Sequence, residues 1–95
     1  MKPDTIKLEL VKELREQTHY SVCYLLAEQV VGEEGTEKHY YTLSLGEKDG
    51  VDYIVQITYK DEKVILHNII PIDGCVRSYI VSKLEKVCKE LTEKY

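Results

Sequence analysis

The chain lacks several features that whole classes of protein require. It has no Trp and no Phe, and only two Pro and one Met in 95 residues. Its longest purely apolar runs are a few residues, whereas a membrane-spanning helix needs about 20. Its first residues, MKPDTIKLEL, carry no signal-type apolar core. These absences predict a protein without a membrane segment.

Cysteine is too scarce and too irregularly spaced for a disulfide framework. Cys23, Cys75 and Cys88 are odd in number and have no paired spacing, which favours a reducing compartment. Zinc sites use Cys or His pairs at short spacing, and no such pairs occur here. We therefore expect a cytoplasmic protein with no bound metal and no cofactor.

Positive charge is also in deficit. The 13 basic residues are outnumbered by 17 acidic ones, and the formal net charge is −4. This balance disfavours a general nucleic-acid binder, whose affinity comes from cations on phosphates. Several of the eight Tyr fall on predicted strands, but we expect no set of Lys or Arg to share a face with them. The expected partner is a protein, not a nucleic acid.

The chain does contain a regular order of helix, four strands and helix. Apolar residues one turn apart predict a first helix over residues 5–17, with Asp4 as its cap. A stripe at helical spacing from Val76 to Leu91 predicts the last helix, opened by Asp73. Alternating or wholly apolar segments predict the strands, which span residues 20–31, 39–45, 51–59 and 64–70.

Short turns at 32–37, 47–50 and 60–63 join these strands and predict an antiparallel meander. The predicted fold is therefore α+β, one domain over residues 1–95, with a four-stranded meander flanked by an N-terminal and a C-terminal helix. Counting from the turns predicts two cross-strand rows on one face. They are Leu26, Leu43, Val55 and Asn68, then Tyr24, Leu45, Tyr53 and Ile70. The C-terminal helix is predicted to cover this apolar face.

The opposite face, here the second sheet face, is too apolar to be an ordinary wet surface. Either the N-terminal helix or a partner protein, including a second copy of the chain, would cover it. The candidate binding residues on this face are Leu25, Tyr40, Ile54, Ile65, His67 and Ile69.

A second candidate surface is acidic. The first and third turns of a meander lie at the same end of the sheet, so their carboxylates gather there, tempered by nearby lysines. We call this the acidic loop end, and it comprises Glu33, Glu34, Glu37, Asp61 and Glu62. It is either an ordinary solvated end or a surface that meets a basic groove by charge complementarity.

No catalytic constellation is expected. With Cys23 predicted opposite Gly46 and His39 opposite Val30, these two groups would lie on the order of 20 Å apart. Cys75 is predicted at the start of the last helix, where a thiol can become reactive. A small enzyme that uses Cys75 or His67 is kept as a third alternative, with no catalytic residue assigned.

Parts of the chain resemble a group of small uncharacterised proteins from Gram-positive bacteria. The resemblance covers roughly residues 20–90 and lies in Tyr24-Leu25-Leu26, the acidic hairpin turn after it, and Val81-x-x-Leu84-x-x-x-Cys88. That group offers no known activity to carry over. In size, acidity and lack of catalytic groups, the chain is also similar to phage-encoded inhibitors of bacterial defence, including CRISPR inhibitors.

The sequence thus predicts a non-enzymatic protein-interaction module. One form is a small inhibitor that occupies a basic site on nucleic-acid-handling machinery. The alternative is a homodimer with a structural or regulatory role, joined through the second sheet face.

Overall fold

The chain folds as a helix, a four-stranded antiparallel meander and a second helix. A computed structural model describes residues 3–18, 22–46 and 50–94. The strands form one sheet in the order β1-β2-β3-β4, and the predicted α+β fold is confirmed. The elements are α1 (Pro3–Thr18), β1 (Val22–Val31), β2 (Lys38–Gly46), β3 (Tyr53–Lys60), β4 (Lys63–Pro71) and α2 (Ser78–Lys94).

Both helices start differently from the prediction. In α1, Pro3 is the first helical residue, a position where the missing N–H is not needed. Asp4 therefore lies inside the first turn, where it pairs with Lys7 at 3.3 Å instead of capping the helix. α2 begins at Ser78 rather than near residue 73, because Gly74 has a φ of +76°, outside the right-handed helical region.

Both helices pack on the same face of the sheet. α1 buries Ile6, Leu10 and Leu14, and α2 buries a longer stripe, all in one core cluster with the sheet. Of the two predicted covers of the second sheet face, the N-terminal helix is therefore excluded. The helices also contact each other directly: Gln17 Nε2 donates to a Glu90 carboxylate oxygen at 2.8 Å.

The centre of the sheet has the predicted register. β2 alternates cleanly, so its buried positions could be assigned from a period of two. Its pairing with β3 confirms two predicted contacts, Leu43 with Val55 and Leu45 with Tyr53.

A bulge in β1 changes the face of several predicted residues. The register shifts between Leu25 and Ala27, so Leu26 is an extra residue. Leu25 pairs with Leu43 and packs against the core, whereas Leu26 is exposed. The prediction that placed Leu26 beside Leu43, and Leu25 on the second sheet face, is wrong. Counting from the turn was correct only as far as Thr42, where the bulge intervenes.

A second bulge does the same in β4. Gln56 of β3 pairs with Asn68 and the next residue, Ile57, pairs with Leu66, so His67 is the extra residue of β4. Val55 then pairs with Ile69, which packs against the core. The assignment of Ile69 to the second sheet face is therefore also wrong, for the same reason as that of Leu25.

Candidate functional site

The sheet face opposite the helices, which we call the open face, is covered by neither α1 nor α2. Four of its apolar side chains are between 42% and 57% exposed: Tyr24, Val31, Ile65 and Ile70. Tyr40 and Ile54 are half-buried among them. Single exposed apolar residues are ordinary, but several of them on one sheet face that no helix packs against are typical of an interaction site.

Polar side chains divide the open face. The pairing of Thr42 with Gln56, and of Gln56 with Asn68, sets a polar row across the middle of the sheet. Tyr24, Ile54 and Ile70 lie on one side of this row, and Tyr40 and Ile65 lie on the other. A partner must therefore satisfy hydrogen bonds at the centre of the face as well as bury apolar surface on either side.

Tyr40 and His67 form a preassembled contact on the open face. Their rings meet edge to face with centroids 6.0 Å apart, and the Lys38 ammonium lies 5.1 Å from the Tyr40 ring centroid. Thr58, on the strand between them, is only 4% exposed although no helix covers it. The aromatic pair is thus fixed before any partner arrives, which reduces the entropy lost on binding.

Lysines share this face, contrary to the prediction. Lys38 and Tyr40 are two residues apart on β2, and Lys60 pairs with Lys63 at the same end of the sheet. Because side chains alternate along a strand, all three lysines lie on the side of Tyr40. The prediction missed this because it treated Lys60 and Lys63 as turn residues.

The structure divides the predicted residues of the second sheet face. Tyr40, Ile54, Ile65 and His67 lie on the open face, whereas Leu25 and Ile69 pack on the helix side as described above. The prediction missed Tyr24 and Ile70, which it had placed under the C-terminal helix. No sequence signal marked the bulges that turn these two residues outward.

Side chains from the helices protect parts of both sheet edges. On β4, the Thr92 hydroxyl accepts the Val64 N–H at 2.9 Å and lies 3.3 Å from the Val64 carbonyl. On β1, Arg15 Nη2 donates to the Cys23 carbonyl at 2.9 Å. Such contacts occupy groups that would otherwise pair with another strand.

The acidic loop end is assembled as its geometry predicted. Val31 pairs with Lys38 and Lys60 pairs with Lys63, so the first and third turns project from the same end of the sheet. The exposed carboxylates are Glu33, Glu34, Asp61 and Glu62. Glu37 is half-buried and accepts the Gly35 N–H at 3.1 Å.

The turn between β3 and β4 is strained. Asp61 and Glu62 have φ values of 52° and 62°, so both residues are in the left-handed region. A two-residue hairpin turn of this kind is normally occupied by Asn-Gly or a similar pair. Left-handed residues other than glycine are concentrated at functional sites, where another requirement outweighs their cost.

Burial makes two of the three thiols unreactive. Desolvation raises the pKa of Cys23 to about 11 and that of Cys88 to about 12, so both are protonated at neutral pH. Cys75 is exposed and lies before the first residue of α2, so its predicted position at the start of that helix is wrong. It borders a cleft of about 450 Å³ together with Asp52, Asp73, Arg77 and Tyr79.

Of the described histidines, neither His39 nor His67 converges with a cysteine. His39 packs on the helix side of the sheet near Tyr41 and Tyr59, with ring centroids 6.3 and 6.2 Å away, whereas His67 lies on the open face. Within residues 3–18, 22–46 and 50–94, no group of three His, Cys, Asp or Glu side chains could hold a metal ion.

Comparison of the chain with protein-family models, with curated proteins and with solved structures found no match. The resemblances to Gram-positive proteins and to phage inhibitors therefore remain predictions. In the described part of the chain, neither helix is sufficiently long and apolar to cross a membrane.

Proposed function

We propose that this chain is a non-enzymatic protein-interaction module that binds another protein through its open face. The observation that carries the proposal is the exposure of Ile65 and Ile70 on a face against which neither helix packs. Tyr24, at the β1 edge of this face, contacts α1 only through Arg15, whose guanidinium carbon lies 5.7 Å from the ring centroid. The fixed contact of Tyr40 with His67 gives the face an aromatic anchor, which protein interfaces favour.

The dimensions of the open face suit a modest protein interface. Its four strands contain 8 to 10 residues each. With strands about 4.8 Å apart and about 3.3 Å per residue, the face measures roughly 20 by 30 Å, or about 600 Å² in projection. A standard interface buries about 800 Å² per partner. The open face alone therefore supports specific binding of moderate affinity.

The proposal of a non-enzymatic protein rests on the distribution of its reactive groups. Cys23 and Cys88 are buried and protonated, and His39 and His67 lie on opposite sides of the sheet. A cytoplasmic location is part of the proposal, because all three cysteines are free. Direct nucleic-acid binding is not part of it, since the lysines of the open face lie next to the acidic loop end.

The test compares capture of a partner from host lysate by matched variants. Ile65→Glu and Ile70→Glu each place a charge on the open face and should weaken capture at least tenfold, because the carboxylate must lose its water on binding. Tyr79→Glu is the control, since Tyr79 is 47% exposed but lies on α2, on the other side of the sheet. Capture that survives both open-face changes, in variants with unaltered circular dichroism, would contradict the proposal.

A second candidate function is inhibition of nucleic-acid-handling machinery by the acidic loop end. The strained turn favours it, because Asp61 and Glu62 keep their charges at positions where Asn-Gly would fit with less strain. An acidic surface could occupy a basic groove, and its binding would weaken steeply with salt.

This candidate is tested by reversing charge at the turn. The double variant Asp61→Lys and Glu62→Lys should abolish salt-sensitive binding of the captured partner. Glu85→Lys with Glu93→Lys is the matched control, because these two glutamates are also exposed but lie on α2, away from the turn. Equal binding by the two double variants would rule out the acidic loop end.

A further inference from the structure

The part of β1 beyond its bulge has a free edge. Residues 27–31 are all exposed. Their sequence, AEQVV, contains a single charge, and Val30 and Val31 are about half exposed. The side-chain contacts that protect the two sheet edges lie elsewhere, at Cys23 on β1 and at Val64 on β4. A free apolar edge is a template for another strand.

Helix α1 carries exposed apolar surface directly beside this edge. Lys7 Nζ lies 3.1 Å from both carboxylate oxygens of Glu28, so this turn of α1 lies beside the free segment. The next residue, Leu8, is 70% exposed. It borders a groove of about 510 Å³ whose apolar wall also includes Val11 and Leu25. Both layers of the protein are therefore apolar and uncovered at the same place.

We propose that a second copy of this chain occupies this edge. The two β1 strands pair antiparallel over residues 27–31 about a two-fold axis near Gln29. This pairing gives an eight-stranded sheet, twice the four strands of one chain. Above the sheet the two α1 helices meet, and Leu8 of each copy enters the groove of the other. This inference rests on the β1 edge, so it is independent of the proposed function of the open face.

A folded second copy fits better than an extended peptide. A single added strand would satisfy the β1 main chain but would leave Leu8 and Val11 in water, because it has no helix layer. A two-fold partner brings both layers together, and an isologous contact needs only one self-complementary surface. Pairing about Gln29 also places Glu28 opposite Val30 rather than opposite the second Glu28.

The charges of this surface balance, although the chain as a whole has a net charge of −4. Three of its side chains are acidic and three are basic, so two copies can approach without net repulsion. The six are Asp4, Glu16 and Glu28, then Lys7, Lys12 and Arg15.

The dimer should be weak. Five paired residues span roughly 17 Å of strand, and the smallest dimension of the molecule is 20 Å. The contact is therefore well below the roughly 800 Å² per partner of a standard interface, a size typical of transient complexes. We expect a dissociation constant of roughly 10 to 100 μM.

Sedimentation velocity from about 1 μM to about 1 mM, a range that brackets such a constant, tests the proposal. The wild-type chain should pass from monomer to dimer. Leu8→Glu should weaken dimerisation at least about 30-fold, because the new carboxylate would be buried in the groove. Glu at this position suits the first half of a helix, so the variant should fold. Val30→Glu, which would lie opposite Glu28 of the second copy, should have the same effect, because like charges directly across two strands repel. Ile65→Glu on the open face is the control and should dimerise normally.

Amide hydrogen exchange locates the interface without any substitution. Protection of residues 27–31 should rise with protein concentration, while protection of β4 should not. A chain that stays monomeric at 1 mM would overturn the proposal. Loss of the dimer in Ile65→Glu but not in Leu8→Glu would also overturn it and would place the dimer contact on the open face.

Discussion

Adjacent leucines in β1 offer a direct measure of the bulge. Leu25 is half-buried and packs against the core, whereas Leu26 is 56% exposed. Leu→Ala in a core costs about 2–5 kcal/mol of unfolding free energy, and the partial exposure of Leu25 puts its cost near the lower limit, about 2 kcal/mol. Leu26→Ala removes a side chain that is mostly in water already, so it should cost about 0.5 kcal/mol.

These values are large enough to separate the two variants by chemical and thermal unfolding. A domain of 95 residues has a free energy of unfolding of roughly 5–14 kcal/mol. With a urea slope of about 1 kcal/mol/M, Leu25→Ala should lower the midpoint by about 2 M and Leu26→Ala by about 0.5 M. The corresponding drops in Tm are about 8–16 °C and 2–4 °C. Low protein concentration keeps self-association from contributing.

A continuous register without a bulge predicts the opposite order, because Leu26 would then point into the core. Equal costs, or a larger cost for Leu26→Ala, would therefore refute the bulge and the assignment of β1 residues to faces. Ile69→Ala and Ile70→Ala give an independent comparison at the other edge, where Ile69 should be the costly position.

Three further predictions concern single features of the fold. Gly46→Ala should lower the free energy of unfolding, measured by urea titration, by about 1–3 kcal/mol, because the new methyl group would overlap the Gly50 carbonyl. Gly50→Ala is the control: its methyl group would enter open space, so the free energy of unfolding should change by less than about 0.5 kcal/mol. Replacing Asp61-Glu62 by Asn-Gly should raise the Tm by about 4–8 °C, equivalent to about 1 kcal/mol, because both positions have positive φ; an unchanged or lower Tm would contradict the strain argument. Burial raises the pKa of the Cys88 thiol from 9.0 to about 12, so the unfolded chain loses this proton at lower pH than the folded chain does. The free energy of unfolding should therefore fall as pH rises from about 9 towards 12. Cys88→Ala should make that fall shallower, and an identical pH profile in the variant would contradict this prediction.

The order of elements and the centre of the sheet were predictable from the sequence for definite reasons. The turns are short, and β2 alternates apolar and polar residues, which leaves a single register that buries its apolar set. The predicted last strand, 64–70, differs from β4 (Lys63–Pro71) by one residue at each end. The apolar stripe of the last helix was also clear, although its first residue was not.

Which face of the sheet each residue of the edge strands β1 and β4 occupies was not predictable. β1 is apolar at consecutive positions, so a period of two cannot decide whether Leu25 or Leu26 is buried. The extra residues Leu26 and His67 have no turn or glycine signal that would mark a bulge. Two residues of the open face, Tyr24 and Ile70, were therefore assigned to the other side. The placement of both helices on one face depends on packing between distant segments, which no local pattern predicts.

The contact between the two helices has a kinetic consequence. Every strand of the sheet pairs only with its neighbours in sequence, so the three hairpins can form locally within microseconds. The helix pair joins residues as far apart as Glu9 and Lys94, whose charged groups lie 3.9 Å apart. Closing that loop costs the most chain entropy of any step in the fold. During synthesis, the part of the helix-side face that α2 covers therefore stays exposed until α2, which follows all four strands in the chain, has been made.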